Sequence, residues 1–158
     1  MQTFLPYANF VKSPECLDYK RLGKQRLEAY DIYRINMYIL HRKNLFDSKK
    51  QKDYLLKRYK NHLIVLMWRG YELALLIYGH YVCREWIRRG YNDNMSPKFR
   101  KALGKHFLNR NDIEYPLWLG DERVHSSHRS NLLRKKPEHY RKFGWKEPDN
   151  LPYYWVRR

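Results

Sequence analysis

Cysteine is nearly absent from this chain: only Cys16 and Cys83 occur, far apart in a sequence of 158 residues. Two distant thiols make no disulfide framework, and they read as free, buried cysteines of a reducing cytosol. Acidic residues are the second scarcity, with 16 Asp and Glu against 33 Lys and Arg and a formal net charge of +17. Such an excess adds nothing to fold stability, because self-repulsion works against the compact state. It is tolerated where the partner is a polyanion, with nucleic acid ahead of an anionic membrane. A long apolar run is missing as well. The most apolar stretch, Leu63 to Ile87, is interrupted by Arg69, Glu72, His80, Arg84 and Glu85, whereas a spanning helix needs roughly 20 mostly apolar residues. That stretch is expected to be a buried core helix, with no membrane as partner. The opening Met1-Gln2-Thr3-Phe4-Leu5-Pro6 has no basic segment followed by an apolar one, so no signal peptide is expected. Internal repeats, low-complexity runs and linkers rich in Gly, Pro or Ser are also lacking. So are a G-x-S-x-G nucleophile elbow and a glycine-rich phosphate loop, which removes the hydrolase and nucleotide-binding readings that depend on them.

What is present suits one domain, residues 1–158, around one core. Apolar residues make up 43% of the chain, and 15 Tyr, 6 Phe and 5 Trp bring a large buried area each. Ser13-Pro14 reads as a helix start, Ser as N-cap and Pro in the first turn. From there Leu17, Leu22, Leu27, Tyr30, Tyr33 and Tyr38 recur at helical spacing up to about Leu40. Asp47 to Lys60 is strongly basic and is expected to form a solvated helix or loop. A second long helix is expected from His62 to Arg89, with Gly90 just past its end. Gly70 and Gly79 fall inside it, and close packing against another helix would explain both. Lys98 to Phe107 suits a short helix, Tyr115 to Gly120 a loop, and Glu122 to Arg134 a third main helix. Strand signals are almost absent. The fold class expected is all-α, a compact domain of three main helices.

The segment Lys20-Arg21-Leu22-Gly23-Lys24-Gln25-Arg26-Leu27-Glu28 is the most informative. On a helix Arg21, Gln25 and Glu28 share one face, with Lys24 beside it. One carboxylate among cations suits a catalytic role, because opposite charges favour its ionised form; an ordinary Lys24–Glu28 ion pair explains the same spacing. Gly23, costly inside a helix, suits the close approach of another backbone. A second basic cluster, His125-Ser126-Ser127-His128-Arg129, precedes Arg134-Lys135-Lys136. These are ordinary phosphate ligands near a helix start. His125 with His128 lacks a cysteine or third ligand nearby, so no metal site is expected. In Met67-Trp68-Arg69-Gly70, Trp68 and Arg69 stand open between core packing and nucleic-acid contact. Aromatics interleaved with cations from Tyr140 to Arg158 suit stacking on unpaired bases, although pinning the tail to the core suits most of them better.

Taken in order, these segments resemble the pyrimidine dimer DNA glycosylases, the endonuclease V type known from viruses. The first likeness is Leu17, Arg21, Leu22 and Glu28; the second is the run Glu85-Trp86-Ile87-Arg88-Arg89-Gly90-Tyr91; the third is Arg129, Lys136-Pro137, Tyr140 and Phe143-Gly144. The resemblance implies a three-helix protein whose N-terminal segment packs between the helices and brings the α-amine into the active site. That amine attacks the sugar C1′, expels the damaged base and forms an imine that undergoes β-elimination, giving glycosylase and AP-lyase activity. Glu28 stands where the family has its acid, which stabilises the cationic sugar. α-Amines titrate near pH 8, so a useful fraction is a neutral nucleophile. The viral members expose Thr after Met removal, but Gln2 is bulky enough to block that removal, so Met1 itself would supply the amine. Leu27 replaces the family's basic residue before the acid, and the chain is longer, mainly between Arg42 and Lys60. Expected DNA contacts are Arg21, Lys24, Gln25, Arg26, Arg69, His125, His128, Arg129, Lys136 and Tyr140. No metal or cofactor is implied. The partner expected is double-stranded DNA carrying a damaged base, bound by a monomer in the cytoplasm of a nucleoid-bearing or virus-infected cell. Two alternatives remain at this point: a nucleic-acid-binding protein without catalysis, and a glycosylase for another modified base.

Overall fold

A helix must satisfy its first free N–H groups, and here Asp18, Ser48, His62 and Asp121 each cap the helix that follows. The computed structural model describes residues 1–157. Its first helix, α1, is only Lys12–Cys16, and α2 runs from Tyr19 to His41. The single helix expected from Ser13 is therefore broken at Leu17 and Asp18. Asp18 caps α2, its carboxylate accepting from the Arg21 N–H at 3.5 Å and from the Arg21 guanidinium at 3.1 Å. Ser13 does not cap; its hydroxyl donates to the Tyr7 carbonyl at 2.7 Å and accepts from the Tyr7 N–H at 3.0 Å.

The basic segment forms α3, Lys49–Tyr59, capped by Ser48. The helix expected from His62 to Arg89 is two helices, α4 (Leu63–Trp68) and α5 (Glu72–Arg88), with α4 capped by the His62 side chain. Between them Gly70 has φ +91°, a left-handed conformation that disfavours a side chain. Its N–H donates to the Glu72 carboxylate at 2.7 Å. Gly70 is thus a corner rather than a packing glycine. Gly79 is the packing glycine: a Cβ there would run into the Phe99 ring of α6, Ser96–Leu103. A short 3₁₀ turn, 104–107, follows α6. After the loop come α7, Glu122–Lys135, and a short α8, Pro137–Tyr140.

The main helices are α2, α5 and α7, and no strand occurs among the described residues. One apolar cluster joins Phe4 and Leu5 to Trp68, Tyr78, Phe99, Val124, Leu132 and Tyr140. No helix among the described residues is long and apolar enough to cross a membrane.

The N-terminal segment packs between the three helices as an extended strap, and its backbone groups are satisfied by side chains. Gln25 of α2 donates to the Gln2 carbonyl at 2.6 Å and accepts from the Phe4 N–H at 2.7 Å. The Tyr78 hydroxyl of α5 lies 2.9 Å from the Phe4 carbonyl. From α7, His128 Nδ1 accepts the Leu5 N–H at 2.9 Å, His125 Nδ1 donates to the Leu5 carbonyl at 2.8 Å, and Arg129 donates to the Pro6 carbonyl at 2.6 Å. An extended segment cannot satisfy its own buried amides, so these partners are what allow it to lie inside.

Candidate active site

Glu28 lies on the face of α2 that this strap covers. One carboxylate oxygen, Oε2, accepts from the Gln2 N–H at 3.3 Å and from Gln25 Nε2 at 3.2 Å. The other, Oε1, faces Lys24 Nζ at 3.5 Å. Lys24 is 72% exposed and Glu28 only 13%, so the lysine end of the pair is solvated while the carboxylate is mostly covered. The carboxylate is held from two sides, and Gln25 ties its position to that of the strap. Gln25 is itself buried, and its Oε1 also meets the Tyr78 hydroxyl at 2.8 Å.

Met1, Gln25 and Glu28 line an open cleft of about 550 Å³. Lys20, Arg21 and Lys24 of α2 also line it, together with Lys135 from the end of α7. Partial burial depresses the Lys135 ammonium pKa, and the neighbouring Arg21, Arg134 and Lys24 lower it further. Arg21 is paired with Asp18 and Lys24 with Glu28, yet four cations on one cleft still outnumber these two acids and suit an anionic ligand such as phosphate. Aromatic rings line the cleft as well. Tyr153 lies against Phe4 with ring centroids 6.4 Å apart, and Trp155 meets His62 edge-on at 5.9 Å. Burial lowers the His62 pKa, and the positive N-terminus adds to the effect.

The other expected contact residues are placed elsewhere. Arg26 points away from the cleft, paired with Asp93 at 2.7 Å and stacked over Trp86. Trp86 also covers Gly23, where a Cβ would come within 2.9 Å of the indole; the close neighbour expected at Gly23 is a side chain, not a backbone. Arg69 donates to Asn36 at 3.0 Å and to the Lys60 carbonyl at 2.9 Å, and it lines a separate groove with Leu63, Leu66, Val156 and Arg157. Lys136 sits at the α7–α8 junction over the Tyr19 ring; its neighbour Lys135 is the one in the cleft.

His125, His128, Arg129 and Tyr140 are buried, so a phosphate does not reach them in this arrangement. The Arg129 guanidinium is used by Glu122, Glu147 and the Pro6 carbonyl. Tyr140 donates to the Asp18 carboxylate and accepts the Asp18 N–H at 3.1 Å. Both histidines are held neutral. Burial pushes the His128 pKa down to about 3, and burial also lowers that of His125. The geometry agrees: His128 accepts at Nδ1, while His125 donates at Nδ1 and accepts the Gly120 N–H at Nε2, 2.9 Å away.

Sequence spacing therefore found Arg21, Lys24, Gln25 and Glu28, all on one helix. It missed Lys20, although Lys20 precedes Lys24 by one turn and the signal was available. It gave no signal for His62, and although Lys135 stood in the basic cluster and Tyr153 and Trp155 among the tail aromatics, nothing in their spacing tied them to Glu28; they reach the cleft only through the fold. No group of three or more His, Cys, Asp or Glu side chains among the described residues is placed to hold a metal ion.

The cleft residues contributed by the strap, by α2 and by His62 all fall within residues 1–98, the stretch matched by a family model described as pyrimidine dimer DNA glycosylase. The chain belongs to that family. It is accordingly a DNA repair glycosylase by kinship, and the match covers more than half of its length. No curated protein and no solved structure matches the chain. The glycosylase family match stops short of α7, so Lys135 and the two tail aromatics are supplied to the cleft from outside the matched stretch.

Proposed function

We propose that this glycosylase excises a damaged pyrimidine of the dimer type from double-stranded DNA, using the Met1 α-amine as nucleophile and Glu28 as the supporting carboxylate. The observation that carries the reading is the Gln2 N–H donating to Glu28 Oε2 at 3.3 Å. It puts the amine of the preceding residue within about 7 Å of that oxygen, since two successive backbone nitrogens are less than ~4 Å apart. Both residues line the same cleft, which Lys20, Arg21, Lys24 and Lys135 also line and where they can meet the phosphates.

In this reading the amine lone pair bonds to C1′ as the glycosidic C–N bond breaks. The base leaves with the bonding pair and takes up a proton. Opening of the C1′–O4′ bond gives a protonated imine, and loss of a C2′ proton with departure of the 3′ oxygen completes the lyase step. Positive charge develops on the sugar throughout, and a carboxylate already fixed by Gln25, Gln2 and Lys24 stabilises it without having to reorganise. Gln25 acts as a positioning residue, because one side chain holds both the strap and the acid. The glycosidic bond is hidden in a paired duplex, so the damaged nucleotide has to be exposed by bending or flipping before it enters the cleft. No metal, cofactor, membrane or second subunit enters the scheme.

Borohydride trapping tests the scheme. Wild-type protein should become covalently linked to duplexes carrying a cyclobutane dimer or an abasic site, and prior acetylation of the α-amine should abolish the adduct. Trapping that survives acetylation would assign the nucleophile to a lysine, with Lys24 the nearest to Glu28. Retained duplex binding without any adduct would leave a protein that binds DNA without imine chemistry.

A further inference from the structure

The charge excess is concentrated in a place the cleft does not use. Residues 42–60 carry Arg42, Lys43, Lys49, Lys50, Lys52, Lys57, Arg58 and Lys60 against Asp47 and Asp53. Both acids are already engaged, Asp47 with Arg34 at 3.4 Å and Asp53 with Lys49 at 2.8 Å. Lys50, Lys57 and Lys60 are exposed and have no carboxylate partner among the described residues. On α3 the helical repeat lines up Lys50, Tyr54, Lys57 and Arg58, all exposed, along one face. Leu55 is the helix's only buried residue, so α3 adds little to the core in return for concentrating like charge.

Its position sets that charge beside the cleft. The segment leading into α3 meets α2 through Asp47 and Arg34, and its far end meets the cleft wall, where the Tyr59 ring lies 6.1 Å from that of His62. Eleven residues span about 16 Å, the length of roughly five base pairs at 3.4 Å each. We infer that α3 is a second phosphate-binding surface, on which the sugar-phosphate backbone of the duplex rests alongside the lesion site. The inference rests on DNA being the substrate of the cleft and extends that footprint to a helix outside it. The partner is duplex DNA rather than a lipid surface, because the outward face offers cations and one tyrosine but no apolar stripe to insert in a membrane.

The test is salt-dependent binding to an undamaged duplex of about 25 base pairs, comparing wild type with the triple variant Lys50→Gln, Lys57→Gln, Arg58→Gln. Each lost phosphate contact should shrink the ratio of affinities at 50 and 200 mM salt by about 3.5-fold. Two or three contacts predict a ratio smaller by about 10- to 40-fold. A control variant, Lys101→Gln with Lys105→Gln, removes exposed charge near α6 and should leave the ratio within about 2-fold. Single-turnover cleavage at saturating protein and low salt should be unchanged in the α3 variant, since none of its three positions touches the cleft. An unchanged ratio in the α3 variant, or an equal effect per charge in the control, would overturn the proposal. Loss of cleavage in wild type would instead sink the catalytic reading, while the binding comparison would still report on α3.

Discussion

Two neutral histidines hold the segment that carries the α-amine, and this makes a quantitative prediction about acid. His128 is fully buried with its pKa pushed down to about 3, and it accepts the Leu5 N–H through an unprotonated Nδ1. In the unfolded chain the same imidazole titrates near the ordinary 6.5. Between those two values the unfolded state binds the extra proton and the folded state does not. The contribution of His128 is therefore complete above pH 6.5 and is lost as the pH falls below it, at up to 1.36 kcal/mol per pH unit. At pH 5 the loss is about 2 kcal/mol, or roughly 4–8 °C in Tm for a chain of this size. His125, also lowered by burial, adds a loss of the same sign. The perturbation that isolates the effect is His128→Asn, whose side-chain oxygen can take the place of Nδ1 as acceptor without titrating. Melting curves of both proteins from pH 8 to pH 5 should diverge, with wild type losing about 2 kcal/mol more than the variant over that range. Parallel curves would refute the claim that His128 is held neutral in the fold. The carboxylates lowered by arginine partners, Asp93 with Arg26 and Glu147 with Arg129, lose their contribution only at more acid pH, so they do not obscure the window.

Glu28→Gln keeps size and hydrogen-bonding capacity but deletes the charge, so single-turnover cleavage of dimer-containing duplex should fall at least 100-fold, about 3 kcal/mol in the barrier. Duplex binding should survive or tighten, and wild-type cleavage would return Glu28 to a plain ion pair with Lys24. Gly79→Ala places a methyl against the Phe99 ring where no space exists, and urea unfolding should show a loss of about 1–3 kcal/mol. Unchanged stability would mean that α5 and α6 can separate at no cost.

Local patterns along the chain determine the helices and most of the charge. The repeat of apolar residues in α2 and the +17 balance are properties of neighbouring residues, and so is the alignment of Arg21, Gln25 and Glu28 on one face. They are legible because a helix brings i, i+4 and i+7 together whatever surrounds it. The division at Gly70 was not legible. A glycine inside a helical pattern reads the same whether it packs, as Gly79 does against Phe99, or turns a corner at φ +91°. The roles of the α7 residues were hidden for a different reason. His125, His128 and Arg129 have the residue types of a phosphate site, but which way a helix faces depends on what packs on it. Here the strap lies on that face and uses them for its own buried amides. Lys135, Tyr153 and Trp155 join the cleft from more than a hundred residues beyond Glu28. Spacing on one helix could select the acid, but only tertiary packing brings the chain's first residue to it, because that approach depends on side chains from three helices satisfying one buried backbone.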